Sequence, residues 1–124
     1  MPKCAYLPDG YTETGRLDET EECPAVEFKF RPPIGPERSF LLDEEERIRK
    51  PGTTESIRAA IQFTIDSVIS HLVSWDVTDA NGAQLPITVE TLRRLHPGIF
   101  GRLCNYVLWG PPSRPKQQAG DAKN

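Results

Sequence analysis

At 124 residues the chain fits one domain, and with 37% hydrophobic and 27% charged residues it can fold around a modest core. Its net charge of −3 argues against nucleic acid as the main partner, and no stretch is apolar enough to span a membrane, because Ile57 to Val73 is interrupted by Arg58, Gln62, Asp66 and His71. The 12 prolines and 9 glycines gather in the first third and after Gly110, which sets an ordered middle between irregular ends.

Residues 1–24 read as an acidic, loosely structured segment. Pro8-Asp9-Gly10 is a turn signal, and Thr12 to Glu22 offers few apolar side chains to bury. Ala25-Val26-Glu27-Phe28-Lys29-Phe30 then alternates apolar and charged residues, a strand pattern stopped by Arg31-Pro32-Pro33. Its expected partner is the Ala5-Tyr6-Leu7 segment or the region of Tyr11, folded back by the turn.

A first helix is expected from about Gly35 to Lys50, with Pro36 at its start and Pro51-Gly52 after it. Its acids, Asp43 to Glu46, precede Arg47, Arg49 and Lys50 and suit the helix dipole. The second helix has the strongest local signal. Thr53 or Thr54 caps it, and Ile57, Ile61, Ile65, Val68, Leu72 and Trp75 recur in steps of three and four as one apolar stripe. Read to Trp75-Asp76, this helix runs about 20 residues, or roughly 30 Å. Phe63 falls off the stripe.

Past Trp75 the pattern breaks into a turn or short hairpin over 76–87, centred on Asn81-Gly82, a dipeptide suited to positive φ. Thr88 caps a short third helix carrying Val89, Leu92 and Leu95. Pro97 opens a fourth, with Ile99, Phe100, Leu103, Cys104, Val107 and Leu108, which Gly110 ends. The expected fold class is α+β, mainly α: a short N-terminal β segment followed by a bundle of about four helices. The expected division is the segment 1–24, one folded domain over 25–110, and a disordered tail over 111–124.

The search for chemistry is negative. Cys4, Cys23 and Cys104 form an odd set without a C-x-x-C pair, and with His71 and His96 they show no metal-ligand spacing, so reduced thiols in a cytosolic compartment are expected. Met1-Pro2-Lys3 is not followed by a secretory apolar region. Gly98-x-x-Gly101 lacks the strand and lysine of a phosphate loop. No Ser-His-Asp or Cys-His arrangement declares itself. His71, Ser74 and Asp76 lie along one helix end, where they better satisfy terminal backbone groups. Catalytic residues, metal sites and cofactors are therefore expected to be none. The third and fourth helices could form a helix-turn-helix, yet the fourth offers only Arg102 and Asn105 among apolar residues.

Charge is uneven. Residues 1–28 carry Lys3 and Arg16 against seven acids, whereas from Arg93 onward six bases face only Asp121. Such ends can attract each other or a neighbouring copy, so self-association stays open beside salt-sensitive DNA binding. Trp75 reads as a core lock and Asp76 as a turn former. Phe63, Tyr106 and Trp109 are the candidates for contact with a protein partner.

The order of motifs in the middle of the chain is distinctive. A helix runs into His71-Leu72-Val73-Ser74-Trp75-Asp76, followed by Asp79-x-Asn81-Gly82, Leu85-Pro86-Ile87-Thr88 and Glu90-x-Leu92-x-x-Leu95. Over about residues 26–110 this resembles the tail assembly chaperones of long-tailed bacteriophages. The structural residues of the likeness are Trp75, Asp76, Asn81, Gly82 and Thr88. The resemblance implies a helical, non-enzymatic protein of the bacterial host cytoplasm. It would bind the tape-measure protein and tail-tube subunits during assembly, leave the finished particle, and often have a longer form made by frameshifting. The alternatives are a minor structural tail or connector protein of the virion and a small DNA-binding regulator.

Overall fold

The structure, a computed structural model, describes residues 6–110. The expectations for the tail over 111–124 and for Cys4 lie outside those residues. Three strands, β1 (Glu13–Leu17), β2 (Val26–Phe30) and β3 (Leu72–Trp75), form one antiparallel sheet in the order β1-β2-β3. Four helices accompany it: α1 (Glu37–Arg49), α2 (Thr54–His71), α3 (Val89–Arg93) and α4 (Pro97–Trp109).

The chain is α+β, but the expected bundle of about four helices does not form. Two of the three strands were not foreseen, and α3 has only five residues. The helices instead share one core with the inner face of the sheet, to which β1 gives Leu17, β2 gives Val26, Phe28 and Phe30, and β3 gives Leu72 and Trp75. The outer face stays polar, with Arg16 on β1 bonded to Glu27 on β2 at 3.0 Å.

The acidic N-terminal segment therefore contributes a strand. Gly15 pairs with Phe28 and Leu17 with Val26, so β1 lies further along the chain than the Tyr6 or Tyr11 regions. Gly15 sits where a larger residue would collide. A Cβ there would stand 2.5 Å from Phe28 Cζ and 2.8 Å from Tyr106 Cε1. The rings of Phe28, Phe30 and Tyr106 fill that space with edge contacts, the Tyr106 centroid lying 5.1 Å from Phe28 and 5.8 Å from Phe30.

The second correction concerns α2, which ends at His71 rather than Trp75. Thr53 caps its start through Oγ1, which accepts from Ser56 N–H at 3.0 Å. At the other end the sheet takes over. Arg31 N–H donates to His71 O at 2.7 Å, and Leu72 turns extended with ψ 136. Trp75 then pairs with Phe28, Ser74 with Lys29 and Leu72 with Phe30, leaving Val73 as a bulge.

Beyond β3 the chain makes a tight hairpin. Asp79 Oδ1 accepts from Asn81 N–H at 2.8 Å and Ala83 N–H at 3.0 Å, and Gly82 takes a φ of 86. Leu85 N–H donates to Val77 O at 3.0 Å, so Val77 and Leu85 flank the turn. Thr88 caps α3 by accepting from Thr91 N–H at 3.2 Å. Pro97 occupies the first turn of α4, and Gly110, with φ 98, closes it. Arg38 of α1 donates from Nε to Leu108 O at 2.9 Å, which ties α1 to the carbonyl end of α4.

Candidate functional site

Helices α1 and α2 pack side by side, and α2 packs on α4. The apolar stripe of α2 crosses both environments. Its second half, with Ile65 and Val68, is completely buried. Its first half is not: Ile57 is 38% and Ile61 37% exposed. Ile61 opens into a groove of about 310 Å³ between α1, α2 and α4, together with Leu42 of α1 and Phe100 and Trp109 of α4.

The groove lining is mixed: Leu42, Ile61, Phe100 and Trp109 stand beside Thr64 and Asn105, and a charged pair lies along it. Glu45 and Arg49 on α1 line it and pair with each other, Arg49 Nε to Glu45 Oε2 at 2.7 Å. Gly101 lies on the α4 wall with open space where a Cβ would be, so a bulky side chain from outside can approach the helix backbone there. Cys104 forms part of the lining, and its burial pushes the thiol up to about 12, which keeps it protonated at neutral pH. A small concave surface that offers apolar side chains beside a charged edge can receive the apolar face of a helix.

The three residues proposed as partner contacts do not converge on this groove. Trp109 lines it. Tyr106 faces the sheet and packs edge-on against Phe28 and Phe30. Phe63 is half-buried against the core. Sequence reasoning missed Leu42, Ile61 and Phe100, because the stripe of α2 looks equally buried along its length until the partner helices are placed.

The residues read as structural do meet. Trp75 Nε1–H donates to Leu85 O at 2.8 Å, and the Gln84 side chain donates to Trp75 O, pinning the hairpin onto β3. Asp76 bonds across to β2: its N–H donates to Glu27 O at 3.1 Å, and its Oδ1 accepts from Glu27 N–H at 3.0 Å. A cavity of about 720 Å³ lies beside this clamp. Val26, Val77, Leu85 and Ile99 form its apolar side, with Asp76, Asp79, Glu90, Arg94 and His96 around them.

His71, Ser74 and Asp76 are separated. His71 Nδ1 bonds to Ser67 O at 2.8 Å and Nε2 faces Glu37 at 3.4 Å, while Asp76 is engaged with Glu27. A pair the sequence did not suggest is brought together instead: Cys23 Sγ lies 3.3 Å from His96 Nδ1. Among the described residues no group of three or more His, Cys, Asp or Glu could hold a metal ion, and no helix is long and apolar enough to cross a membrane. No family model, no curated protein and no solved structure matches the chain.

Proposed function

We propose that the chain is a non-enzymatic assembly chaperone for a phage tail, acting in the bacterial host cytoplasm and receiving an amphipathic helical segment of a tape-measure protein, with tail-tube subunits as further clients. One observation carries the reading. The stripe of α2 is left half-covered, so that Ile61 joins Leu42, Phe100 and Trp109 in an open groove. A helix docked there would offer side chains at spacings of three and four and bury the uncovered half of the stripe. The motif series from Trp75-Asp76 through Asn81-Gly82 to Thr88 supports the family resemblance independently of the groove.

The test is co-purification of the full chain with a tape-measure fragment. Ile61→Asp and Trp109→Ala, each checked for cooperative unfolding, are expected to weaken capture at least tenfold. Capture that persists in the double variant refutes the groove as the client site. Detection of the protein at stoichiometric levels in purified particles refutes the chaperone reading in favour of a structural tail or connector subunit.

A further inference from the structure

Cys23 and His96 stand far apart in sequence and are joined by two pieces of local chemistry. The first is a turn. Thr20 N–H donates to Cys23 O at 2.9 Å and Cys23 N–H to Thr20 Oγ1 at 3.1 Å, which fixes the thiol just ahead of β2. The second is the start of α4, where His96 is the N-cap and its Nδ1 accepts from Gly98 N–H at 2.9 Å. Gly98 permits the meeting, because a Cβ there would stand 3.1 Å from Cys23 Sγ and 3.3 Å from His96 Nδ1.

The surroundings extend the pair into a site. His96 Nε2 faces Glu22 Oε1 at 3.9 Å, on the side away from the thiol. A cavity of about 310 Å³, separate from the helical groove, is lined by Glu22, Cys23, His96, Gly98 and Arg102. Arg102 is held by two bonds, from Nε to Gly98 O at 2.7 Å and from Nη1 to Asp18 O at 3.2 Å. Its Nη2 is buried without a hydrogen-bond partner among the described residues. Cys23, only 5% exposed, and a base within reach thus line one opening.

We infer that Cys23 is a thiol–disulfide exchange site for small-molecule disulfides, with His96 as its base. His96 Nδ1 takes the S–H proton, and the thiolate attacks one sulfur of R–S–S–R. The Cys23–S–S–R bond forms as the original S–S bond breaks. The departing thiolate takes the proton from His96 and leaves as RSH. One disulfide is consumed and one is made, so no other oxidant enters.

While Nδ1 carries the proton it cannot accept from Gly98 N–H. That N–H, at the positive end of α4, is then released from the imidazole. This inference is independent of the client groove.

The experiment uses the full chain and oxidised glutathione at pH 7, with each cysteine followed separately by mass spectrometry after acid quenching. Cys23 is expected to form the mixed disulfide at least tenfold faster than Cys104, which serves as internal reference. His96→Gln, which keeps an acceptor for Gly98 N–H but takes no proton, should slow Cys23 about tenfold or more and leave Cys104 unchanged. Added imidazole should restore the rate in His96→Ala. A Cys23 no faster than Cys104 overturns the assignment, as does a His96→Gln variant that labels at the original rate. Loosening of the fold would show as faster Cys104 labelling, and the comparison then rests on the Cys23-to-Cys104 ratio, which must still fall in His96→Gln for the assignment to stand.

Discussion

Replacing Gly15 by alanine sets two physical effects against each other. On backbone entropy alone, alanine for glycine inside a strand is worth about 0.5–1 kcal/mol of added stability. The structure reverses the sign. The new Cβ would stand 2.5 and 2.6 Å from two Phe28 ring atoms and 2.8 Å from Tyr106 Cε1. Carbon contacts settle near 3.5–4.0 Å, so two rings must each give about an ångström. Phe28 is almost fully buried and is wedged against Phe30 and Tyr106, so it has nowhere to move without cost. Overpacking of this kind costs about 1–3 kcal/mol, and the net expectation is a loss of about 1–2 kcal/mol. In a domain of this size that lowers Tm by roughly 4 °C per kcal/mol. Urea unfolding followed by circular dichroism measures it. A second variant isolates the cause: Phe28→Leu should cost markedly less in the Gly15→Ala background than alone, giving a coupling of about 1 kcal/mol in a double-mutant cycle. A Gly15→Ala protein as stable as the parent, or more stable, refutes the close approach of β1 to the aromatic trio.

The same packing and hydrogen bonding set three further outcomes. Trp75→Phe removes the indole donor to Leu85 O and should cost about 1–2 kcal/mol in urea unfolding, with faster amide exchange at Leu85 in the hairpin; unchanged stability contradicts the anchoring role. Burial pushes the Cys104 thiol from an ordinary 9.0 to about 12. The neutral form is therefore favoured in the fold, the stability is full below about pH 9, and it declines as pH rises toward 12 while the unfolded chain's thiol ionises. Cys104→Ala should show a shallower alkaline decline than the parent, and parallel curves would refute the shift. Deleting Val73 should leave a cooperatively folding protein weakened by about 1–2 kcal/mol, since the bulge is removed while Leu72 and Trp75 still face inward. A chain that no longer folds after that deletion argues against the bulged register.

How legible each element is depends on how local its causes are. The capping positions of α3 and α4 are local chemistry: Thr88, Pro97 and Gly110 each act within a turn of themselves. β2 is legible because one face is buried and the other wet, which leaves a period of two in Val26-Glu27-Phe28-Lys29-Phe30. β1 has the same period in its burial, but the position facing the core opposite Phe28 is a glycine. Its volume is supplied by rings from β2 and α4, so Glu13-Thr14-Gly15-Arg16-Leu17 carries almost no hydrophobic signal. Tyr106 was read as open to a partner for a related reason. Helix α4 is covered by the sheet on one side and by α2 on another, and a single helical stripe does not announce the second buried side. The meeting of Cys23 with His96 leaves no local trace, since it follows from β2 and α4 being placed side by side.

The misread end of α2 has a specific cause, and it bears on function. In a regular strand, residues three apart point to opposite faces. Leu72 and Trp75 are three apart, yet both turn inward, because the bulge at Val73 absorbs one residue between the pairs with Phe30 and Phe28. The resulting order of buried, exposed, exposed, buried is also that of a helical turn, so the stripe from Val68 through Leu72 to Trp75 is the same on paper in either structure. Long-range bonds decide between them. Arg31 takes the carbonyl of His71, and Asp76 closes the far end on Glu27 by two bonds. The Trp75-Asp76 pair is thus a clamp on strands, with the indole holding the hairpin and the carboxylate holding β2. Once the chain leaves the helix at Leu72, the sheet and the C-terminal half of the stripe share the core. Ile57 and Ile61, at the other end, are left partly exposed, Ile61 between α1 and α4. The groove proposed for a client thus lies at the end of α2 away from the sheet, where Ile61 meets Leu42, Phe100 and Trp109.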